Sequence, residues 1–221
     1  MEAGHRAILL KSNLFQDIDS NDCIALLNCL SPKVKKYVKN EIILLSGDSV
    51  NHIGVILTGN ASANIEHIDG SQTLISNLTP LSVFGEILVS TRTHKSPVTV
   101  YAVSDVTVVY IEYHKVYSMC ETACSIHRIF LQNMLKAIGD KYFNLFDRIA
   151  ILREKRLRAR ILAYLHSFSN REGSFTITLP YSKTVLADYL LVNRSALSKE
   201  LHKMANEGIL AINGREIELK V

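Results

Sequence analysis

The stretch VNRSALSKELHKM, residues 192–204, decides how the rest of the chain is interpreted. Leu197, Leu201 and Met204 follow one another at intervals of four and three, so their side chains share one face of a helix. That face can pack on a core. The opposite face would carry small residues between long cationic ones, namely Arg194, Ser195, Ser198, Lys199 and His202. Such a helix can approach another surface closely, and the major groove of DNA is one such surface.

The residues around this stretch predict a complete DNA-binding domain. Residues 180–210 are predicted to form two helices joined by a short turn, with Ser182 as the N-cap of the first and Asn193 as the N-cap of the second. A short strand, FTITL, precedes the helices. Asn213-Gly214 lies between two alternating runs after them, which is a strong hairpin signal. This order of elements predicts a winged helix-turn-helix over residues 151–221.

Contacts with DNA would come from both helices of this domain. The second helix of a helix-turn-helix enters the major groove, and its N-terminal residues meet base edges. Arg194 follows the predicted cap and is suited to a bidentate contact with guanine. The start of the first helix would touch backbone phosphate. We therefore predict DNA contacts from Ser182, Lys183, Thr184, Arg194, Ser195, Ser198, Lys199 and His202, with simple solvation as the alternative for His202.

The distribution of charge agrees with a polyanionic partner. The net charge is +4, but residues 149–221 hold 12 Lys and Arg against 7 Asp and Glu, whereas residues 1–148 hold 13 against 14. Five cations stand between Arg153 and Arg160 against one Glu, and such a run is usually a solvated helix face. The basic part of the chain is where DNA would be expected to bind. The alternative is a winged helix that binds protein, or an exposed helix whose charge has no function.

The first part of the chain changes from a helical to a β pattern. Residues 12–40 are predicted to be helical, with Ser20 as a cap and a break at Ser31-Pro32. From residue 41 onward, short β-branched runs alternate with Gly-containing turns, and Asp69-Gly70 is a hairpin signal. A further β-rich run covers residues 97–113. Many short strands at roughly ten-residue spacing favour an antiparallel barrel or sandwich.

A long helix follows, and it carries two apolar stripes. Alternating intervals of four and three form the heptad seam of a coiled coil, and they predict dimerisation. A second stripe indicates a second packing partner, and a helix packed only on its own barrel is the alternative. The predicted dimerisation residues are Leu131, Leu135, Ile138, Tyr142, Leu145 and Ile149, and the second stripe consists of Phe130, Met134, Ala137 and Phe143.

Composition excludes several other classes of protein. No run of 18 apolar residues exists, and the apolar piece near the N-terminus is too short for a signal peptide, so a cytoplasmic protein without membrane contact is expected. Cys23, Cys29, Cys120 and Cys124 form no C-x-x-C pair, so neither disulfides nor a metal site are expected. No two histidines lie within ten residues of each other, which argues against a cupin-type enzyme.

The order of β-rich domain, long helix and basic winged helix-turn-helix resembles the Crp/Fnr superfamily of bacterial transcription regulators. The strongest pieces are LADYLLVNRSALSKEL at residues 186–201 and TPLSVFGEI at residues 79–87. The resemblance implies an α+β protein. Its parts would be an antiparallel β-roll of the cyclic-nucleotide-binding, jelly-roll type (residues 1–120), a long dimerisation helix (121–150) and the winged domain (151–221). It also implies a homodimer, a palindromic site on double-stranded DNA and an effector that acts through the β-roll, with RNA polymerase as a further candidate partner.

The chain departs from this family where its cyclic-AMP-binding members hold the nucleotide. Gly85 and Glu86 match the first half of the motif, but His94-Lys95-Ser96-Pro97 has no Arg for the phosphate. The Ser or Thr that would contact adenine from the long helix is also missing between residues 126 and 149. The effector-binding candidates are therefore Gly85, Glu86, Lys95 and Ser96, and cyclic AMP is not expected. The N-terminal cysteines that hold an iron–sulfur cluster in another branch are absent too, so the effector stays unidentified.

Two alternatives follow from these departures. One is a cyclic-nucleotide-dependent regulator whose phosphate contact has moved to Lys95 or Arg92. The other, more remote, is a β-barrel ligand-binding protein that does not touch DNA. In the DNA-binding motif, Leu191 stands where the family usually has Gly, so we expect a turn that is either reshaped or slightly strained. Ser195 replaces a residue that is often Glu in the family, which predicts a different half-site.

Overall fold

The computed structural model describes residues 2–118, 125–179 and 182–220. The chain forms two compact units, Met1–Asp140 and Lys141–Val221. The three-domain division at residues 120 and 150 stays a prediction. Cys120 and Cys124 lie outside the described residues. No helix in the described ranges is both long and apolar enough to cross a membrane.

Eight strands in two antiparallel sheets build the roll of the first unit, as the alternating β-branched runs predicted. One sheet has the order β1-β8-β3-β6 and the other β2-β7-β4-β5. The strands are β1 (Lys33–Tyr37), β2 (Ile42–Leu44), β3 (His52–Thr58), β4 (Ala61–Glu66), β5 (Gln72–Leu78), β6 (Val83–Phe84), β7 (Thr99–Ala102) and β8 (Val106–Glu112). The predicted hairpin at Asp69-Gly70 joins β4 and β5, and its turn closes where His67 N–H donates to the carbonyl of Ser71 at 2.9 Å.

The helical prediction for residues 12–40 is correct only in its first part. The first unit contains α1 (Ala3–Leu9), α2 (Ser20–Leu30) and α3 (Tyr113–Tyr117), with short 3₁₀ turns at Asn13–Phe15 and Leu88–Ser90. Helix α2 ends where Ser31 adopts a left-handed φ of 44° before Pro32. Residues 33–37 are strand β1, whose backbone pairs along its whole length with β8. This pairing joins residues that are far apart in the sequence, and it overrides the predicted helical preference of residues 33–37. A short sequence segment therefore could not reveal the strand.

The long helix α4 (Ser125–Arg153) extends three residues beyond the predicted end. Phe130 and Met134 are buried in the first unit, and the ring of Phe130 lies 5.2 Å from that of Phe15. The Asn133 side chain donates hydrogen bonds to the carbonyls of Leu14 and Gln16, at 3.3 and 2.7 Å. This part of α4 is therefore anchored to the N-terminal segment by both packing and hydrogen bonds.

The predicted heptad seam is mostly exposed within the single chain. Leu131 and Ile138 pack partly against the core of the first unit. The exposed seam residues, with exposed fractions of 53 to 62 %, are Leu135, Tyr142, Leu145 and Ile149. In the second stripe, Phe143 is 67 % exposed, so a core of the same chain does not cover this part of the stripe.

One close contact constrains the interior of the roll. The aromatic ring of Phe84 occupies the space above Gly54, where a Cβ atom would come within 2.2 Å of the ring. Gly54 and Phe84 are paired across β3 and β6, and Phe84 also lies edge-on to Tyr110 at 6.1 Å. The hydroxyl of Tyr110 is hydrogen-bonded to that of Tyr37 at 2.7 Å. Burial raises the pKa of Tyr110, so its hydroxyl keeps its proton in the physiological range.

Because Phe84 leaves no room for a Cβ atom, Gly54→Ala should lower the free energy of unfolding of the first unit by about 1–3 kcal/mol. Denaturant unfolding of the variant measures this loss. Gly4→Ala is the matched control, since no heavy atom lies within 4 Å of a Cβ atom at that position. Equal stability of the two variants would mean that the ring of Phe84 can move aside.

The second unit has the predicted order of a winged helix-turn-helix. Its elements are α5 (Leu157–Glu172), β9 (Thr176–Thr178), α6 (Lys183–Tyr189), α7 (Arg194–Asn206), β10 (Leu210–Asn213) and β11 (Glu216–Leu219). The three strands form a sheet of order β10-β11-β9. Asn213 pairs with Glu216, so the two-residue turn of the wing is Gly214-Arg215, one position later than the Asn-Gly pattern indicates. Gly214 adopts a φ of +60°, which is typical of the first position of a type II′ turn.

Candidate nucleic-acid interface

Helix α7 is oriented by the burial of one face. Leu197, Leu201 and Met204 are fully buried in the core of the second unit, as their spacing predicted. The helix begins after Asn193, whose side-chain oxygen accepts a hydrogen bond from the backbone N–H of Ala196 at 2.9 Å. The predicted cap is therefore correct. Together, cap and buried face fix which residues point to solvent.

The face of α7 that points to solvent is cationic and polar. Arg194, Ser195, Lys199 and His202 are exposed, and Ser198 is half-buried. Within the described part of the chain, neither Arg194 nor Lys199 forms an ion pair, so both charges are available to a ligand. The hydroxyl of Ser195 donates to the Asn193 side chain at 3.0 Å, which leaves the serine oxygen as an acceptor.

The imidazole of His202 is held in one tautomer. Its Nδ1 lies 2.6 Å from the carbonyl oxygen of Ser198, one helical turn earlier. A carbonyl can only accept a hydrogen bond, so Nδ1 carries the proton. In the neutral ring, Nε2 is then an acceptor on the exposed side of the helix. Spacing along the sequence gave no indication of this.

The residues predicted to touch phosphate lie in and before the first turn of α6. The oxygen of Ser182 accepts from the backbone N–H of Val185 at 3.4 Å, so Ser182 is the cap, as predicted. Its hydroxyl hydrogen can still be donated to a ligand. Thr184 is exposed and Lys183 is half-buried. These three residues share one helix start, whereas the other five candidates share the exposed side of α7.

The turn between α6 and α7 is strained at Leu191, as the sequence predicted. Leu191 has a φ of +54°, a conformation that favours glycine. Two hydrogen bonds close the turn: Val192 N–H donates to the carbonyl of Ala187 at 2.9 Å, and Leu191 N–H to that of Asp188 at 3.2 Å. This is the Schellman arrangement that normally ends with glycine. The turn is therefore reached at a conformational cost.

The run of cations from Arg153 to Arg160 is not a uniform solvated face. Arg158 forms ion pairs with Glu200 of α7 and with Glu207, the C-cap residue of that helix. The Arg158 Nε lies 2.6 Å from Glu200 Oε1, and the two terminal nitrogens of Arg158 bind Glu207. The hydrogen bond from Arg158 lowers the pKa of Glu207, so this carboxylate stays ionised to low pH. The sequence does not reveal this role, because nothing in the run distinguishes Arg158 from its neighbours.

Arg160 is a second structural arginine in the same run. Its Nε donates to the carbonyl of Glu154 at 2.7 Å, and a terminal nitrogen donates to the carbonyl of Leu190 at 3.2 Å. Leu190 immediately precedes the strained Leu191. Arg160 therefore supports the turn from one side and ties it to the residues that precede α5.

We expect the stabilising effect of Arg158 to depend on pH. The Glu207 pKa is lowered in the folded protein, so its contribution is complete above the ordinary Glu pKa of about 4.3 and is lost as the pH falls through the lowered pKa. Arg158→Gln should therefore lower the unfolding temperature of the second unit at pH 7 and have a smaller effect at pH 3. Arg156→Gln removes an exposed charge nearby and is the matched control. A difference between wild type and Arg158→Gln that does not change with pH would contradict the assignment.

The effector candidates meet around one segment of the first unit. Gly85 has a φ of +83°, and a Cβ atom there would lie 2.7 Å from the carbonyl oxygen of His52. The backbone of Ser96 donates to the carbonyl of Asp48 at 3.0 Å, and Val50 N–H donates to the carbonyl of His94 at 2.7 Å. Residues 48–52 thus lie between the two halves of the predicted site.

The residues of this site differ in their access to a ligand. Glu86 is fully buried, and Ser96 is nearly so, with its hydroxyl donated to the carbonyl of Val98 at 2.7 Å. Lys95 and Arg92 are exposed. A buried cyclic phosphate requires a cation beside it. Neither half of the site has a buried cation, so the residues present are a poor match for an anionic nucleotide.

The two cysteines in the described ranges, Cys23 and Cys29, are free thiols. Cys23 is buried and Cys29 is exposed, and neither is in a disulfide. Burial raises the pKa of the Cys23 thiol, with smaller contributions from Asp22 and Asp19. Within the described ranges, no three His, Cys, Asp or Glu residues come together as a metal site.

Comparison with known families matches both units. Residues 34–123 match the cyclic nucleotide-binding domain, and residues 156–220 match the Crp-like helix-turn-helix domain. Together the two matches cover more than half of the chain. The chain belongs to the Crp/Fnr superfamily. It is a DNA-binding transcription regulator of the Crp family, with a domain of the cyclic nucleotide-binding type.

Similar proteins share this architecture over nearly their whole length. The CRP-like cAMP-activated global transcriptional regulator of Mycobacterium tuberculosis is 20 % identical over 214 residues, which are 95 % of this chain and 93 % of the regulator. A CooA variant from Carboxydothermus hydrogenoformans has a TM-score of 0.71 at 20 % identity, covering 96 % of this chain and 94 % of CooA. The c-di-GMP responsive global regulator CLP of Xanthomonas campestris has a TM-score of 0.62 at 16 % identity, covering 92 % and 100 %. These similarities show the shared fold.

Proposed function

We propose that this Crp-family regulator acts in the cytoplasm as a homodimer, and that helix α7 reads a specific palindromic sequence in the major groove. The observation that carries the proposal is the division of α7 into two faces. Leu197, Leu201 and Met204 are fully buried, while Arg194 and Lys199 are exposed and form no ion pair within the described residues. Its acidic side chain Glu200 and the following Glu207 are both paired with Arg158, which halves their net negative charge and weakens their repulsion of phosphate.

Each exposed residue of α7 has a chemical role in this proposal. The guanidinium of Arg194, in the first turn, donates to the O6 and N7 atoms of guanine. Lys199 and Ser198 contact neighbouring bases or phosphates. Nε2 of His202 is an acceptor when the ring is neutral, so it suits an amino group of adenine or cytosine. Ser182, Lys183 and Thr184 hold the backbone and set the register of the helix in the groove.

Arg194→Ala should weaken binding to the preferred site by about 1–3 kcal/mol and relax the preference at one base position, because a bidentate contact with a base is lost. Lys183→Ala should weaken binding to all sequences similarly and reduce the slope of affinity against salt. Selection of binding sequences from a random DNA pool, followed by titration at several salt concentrations, measures both effects. Unchanged base preference in Arg194→Ala would mean that α7 is not the recognition helix.

Dimerisation is supported by the exposed apolar seam of α4. Leu135, Tyr142, Leu145 and Ile149 repeat at heptad spacing and are more than half exposed in the single chain. A second copy of the same helix would bury them in a parallel pair. Such a dimer presents two α7 helices to half-sites about 10 bp apart, which is why we expect a palindrome.

Leu145→Glu places a charge in this seam and should convert a dimer into a monomer, with loss of affinity for the two-half-site DNA. Light scattering after size exclusion gives the mass, and binding to a single half-site separates loss of dimer from loss of fold. Lys136→Gln changes the net charge by the same amount on the other side of α4 and should remain dimeric. A Leu145→Glu protein with the mass of the wild type would place the interface elsewhere.

The effector of the first unit is not a standard cyclic nucleotide in this proposal. The cations of the predicted site, Lys95 and Arg92, are exposed, and Ser96 uses its hydroxyl within the fold. The alternative, supported by the family match and by the cAMP-activated relative, is a phosphate contact moved to one of these cations. Titration calorimetry with cyclic AMP and cyclic GMP, repeated with Lys95→Gln and Arg92→Gln, separates the two: heat that disappears in either variant favours the alternative.

RNA polymerase is the candidate partner of the DNA-bound protein.

A further inference from the structure

Three cations remain exposed once the structural arginines of the basic run are set aside. Arg158 is paired with Glu200 and Glu207, and Arg160 is hydrogen-bonded to two carbonyls. The others, Arg153, Lys155 and Arg156, are exposed at the end of α4 and in the bend before α5. We call these three residues the basic elbow. Within the described residues, none of the three forms an ion pair, and the one acid among them is Glu154.

The basic elbow lies beside the turn that leads into the recognition helix. One guanidinium, that of Arg160, contacts the carbonyl oxygens of Glu154 and Leu190 at 2.7 and 3.2 Å. Because both bonds come from one planar group, these two oxygens lie within about 8 Å of each other. Glu154 stands between Arg153 and Lys155, so the elbow and the turn are neighbours in the second unit.

The same turn brings the elbow close to the base-reading end of α7. Arg194 is four residues after Leu190, and four residues span at most about 14 Å. A DNA duplex carries one negative charge per about 1.7 Å of its axis. If the bases of a duplex contact Arg194, some phosphates of the same duplex therefore lie within reach of the basic elbow.

The charges around the elbow favour a polyanion. Glu200 of the adjoining α7 and the C-cap residue Glu207 share the guanidinium of Arg158 at hydrogen-bond distance, so this group of three side chains keeps one net negative charge. The elbow itself carries three positive charges against the one of Glu154. Its cations are long and exposed, which suits contacts with phosphates.

We propose that the basic elbow is a second phosphate-binding surface, separate from the first turn of α6, that contacts the DNA backbone next to the half-site. This inference rests on the proposed DNA-binding function and adds to it a positioning surface outside the two helices of the motif. It assigns the basic run two functions: its inner arginines hold α7 and the turn, and its outer cations bind DNA.

The test is a triple variant, Arg153→Gln, Lys155→Gln and Arg156→Gln, in the full-length protein. Its charge-matched control is Lys35→Gln, Lys36→Gln and Lys39→Gln, which removes three exposed cations from the first unit. We expect the elbow variant to lose about tenfold in affinity per missing phosphate contact at low salt, and its salt slope to fall by about 1–3 per DNA-binding unit. The control should keep the wild-type slope. Base preference in random-pool selection should not change.

Scanning the selected site with uncharged methylphosphonate linkages gives a readout that a loss of folding would not produce. Each neutralised phosphate that weakens wild-type binding is tested again with the elbow variant. We expect one to three phosphates in each half-site to lose their effect in the elbow variant and to keep it in the control. A uniform loss at all phosphates would indicate a structural effect and overturn the proposal.

Three further outcomes separate the elbow from the proposed function. Wild-type protein that binds no DNA even at low salt would overturn both. Wild-type protein that binds a specific site with the same affinity as the elbow variant would overturn the elbow alone. If that variant bound DNA normally but failed to activate transcription in a reconstituted system, the elbow would be a protein-binding surface instead, and the proposal would be wrong.

Discussion

The burial of Leu197, Leu201 and Met204 is the constraint on which the rest of the second unit depends. Burying a side chain of this size contributes about 1.5–3 kcal/mol, so rotating α7 away from its core would cost several kilocalories per mole. The helix can therefore present only one face to solvent, and that face carries Arg194 and Lys199. An orientation set by apolar packing is rigid, which is what precise contact with base edges requires.

The electrostatics of the second unit follow from this orientation. Unpaired carboxylates on α7 would weaken the proposed contact with DNA, and Arg158 of α5 forms ion pairs with both Glu200 and the C-cap residue Glu207. The strained turn at Leu191 is supported in a similar way, because Arg160 binds the carbonyl of Leu190 and ties it to that of Glu154. The cations between Arg153 and Arg160 are thus of two kinds. Some maintain the fold, and the others are exposed to a ligand. In the first unit, Glu86 and Ser96 are buried, whereas Lys95 and Arg92, the cations of the predicted effector site, are exposed.

Much of this architecture could be predicted from local patterns. The caps at Ser182 and Asn193, the buried face of α7 and the strain at Leu191 each depend on a few neighbouring residues, and each prediction is correct. The prediction failed at residues 33–37, which pair with a strand 69 to 77 residues away. It also set the wing turn one residue early, because a turn is defined by which residues pair across it, and two-residue sequence signals do not specify that register.

The sequence by itself determined the order of elements, the family and the faces of the helices, because helical periodicity, capping and turn chemistry act over a few residues. Only the tertiary structure decided what each cation of the basic run does. Arg158 meets carboxylates more than forty residues away, and Arg160 meets a carbonyl thirty residues away, while Arg153, Lys155 and Arg156 meet neither. The tautomer of His202 and the ring of Phe84 above Gly54 belong to the same class. Each of these contacts depends on the distance between particular atoms in the folded chain. The spacing of residue types along the sequence does not specify such distances.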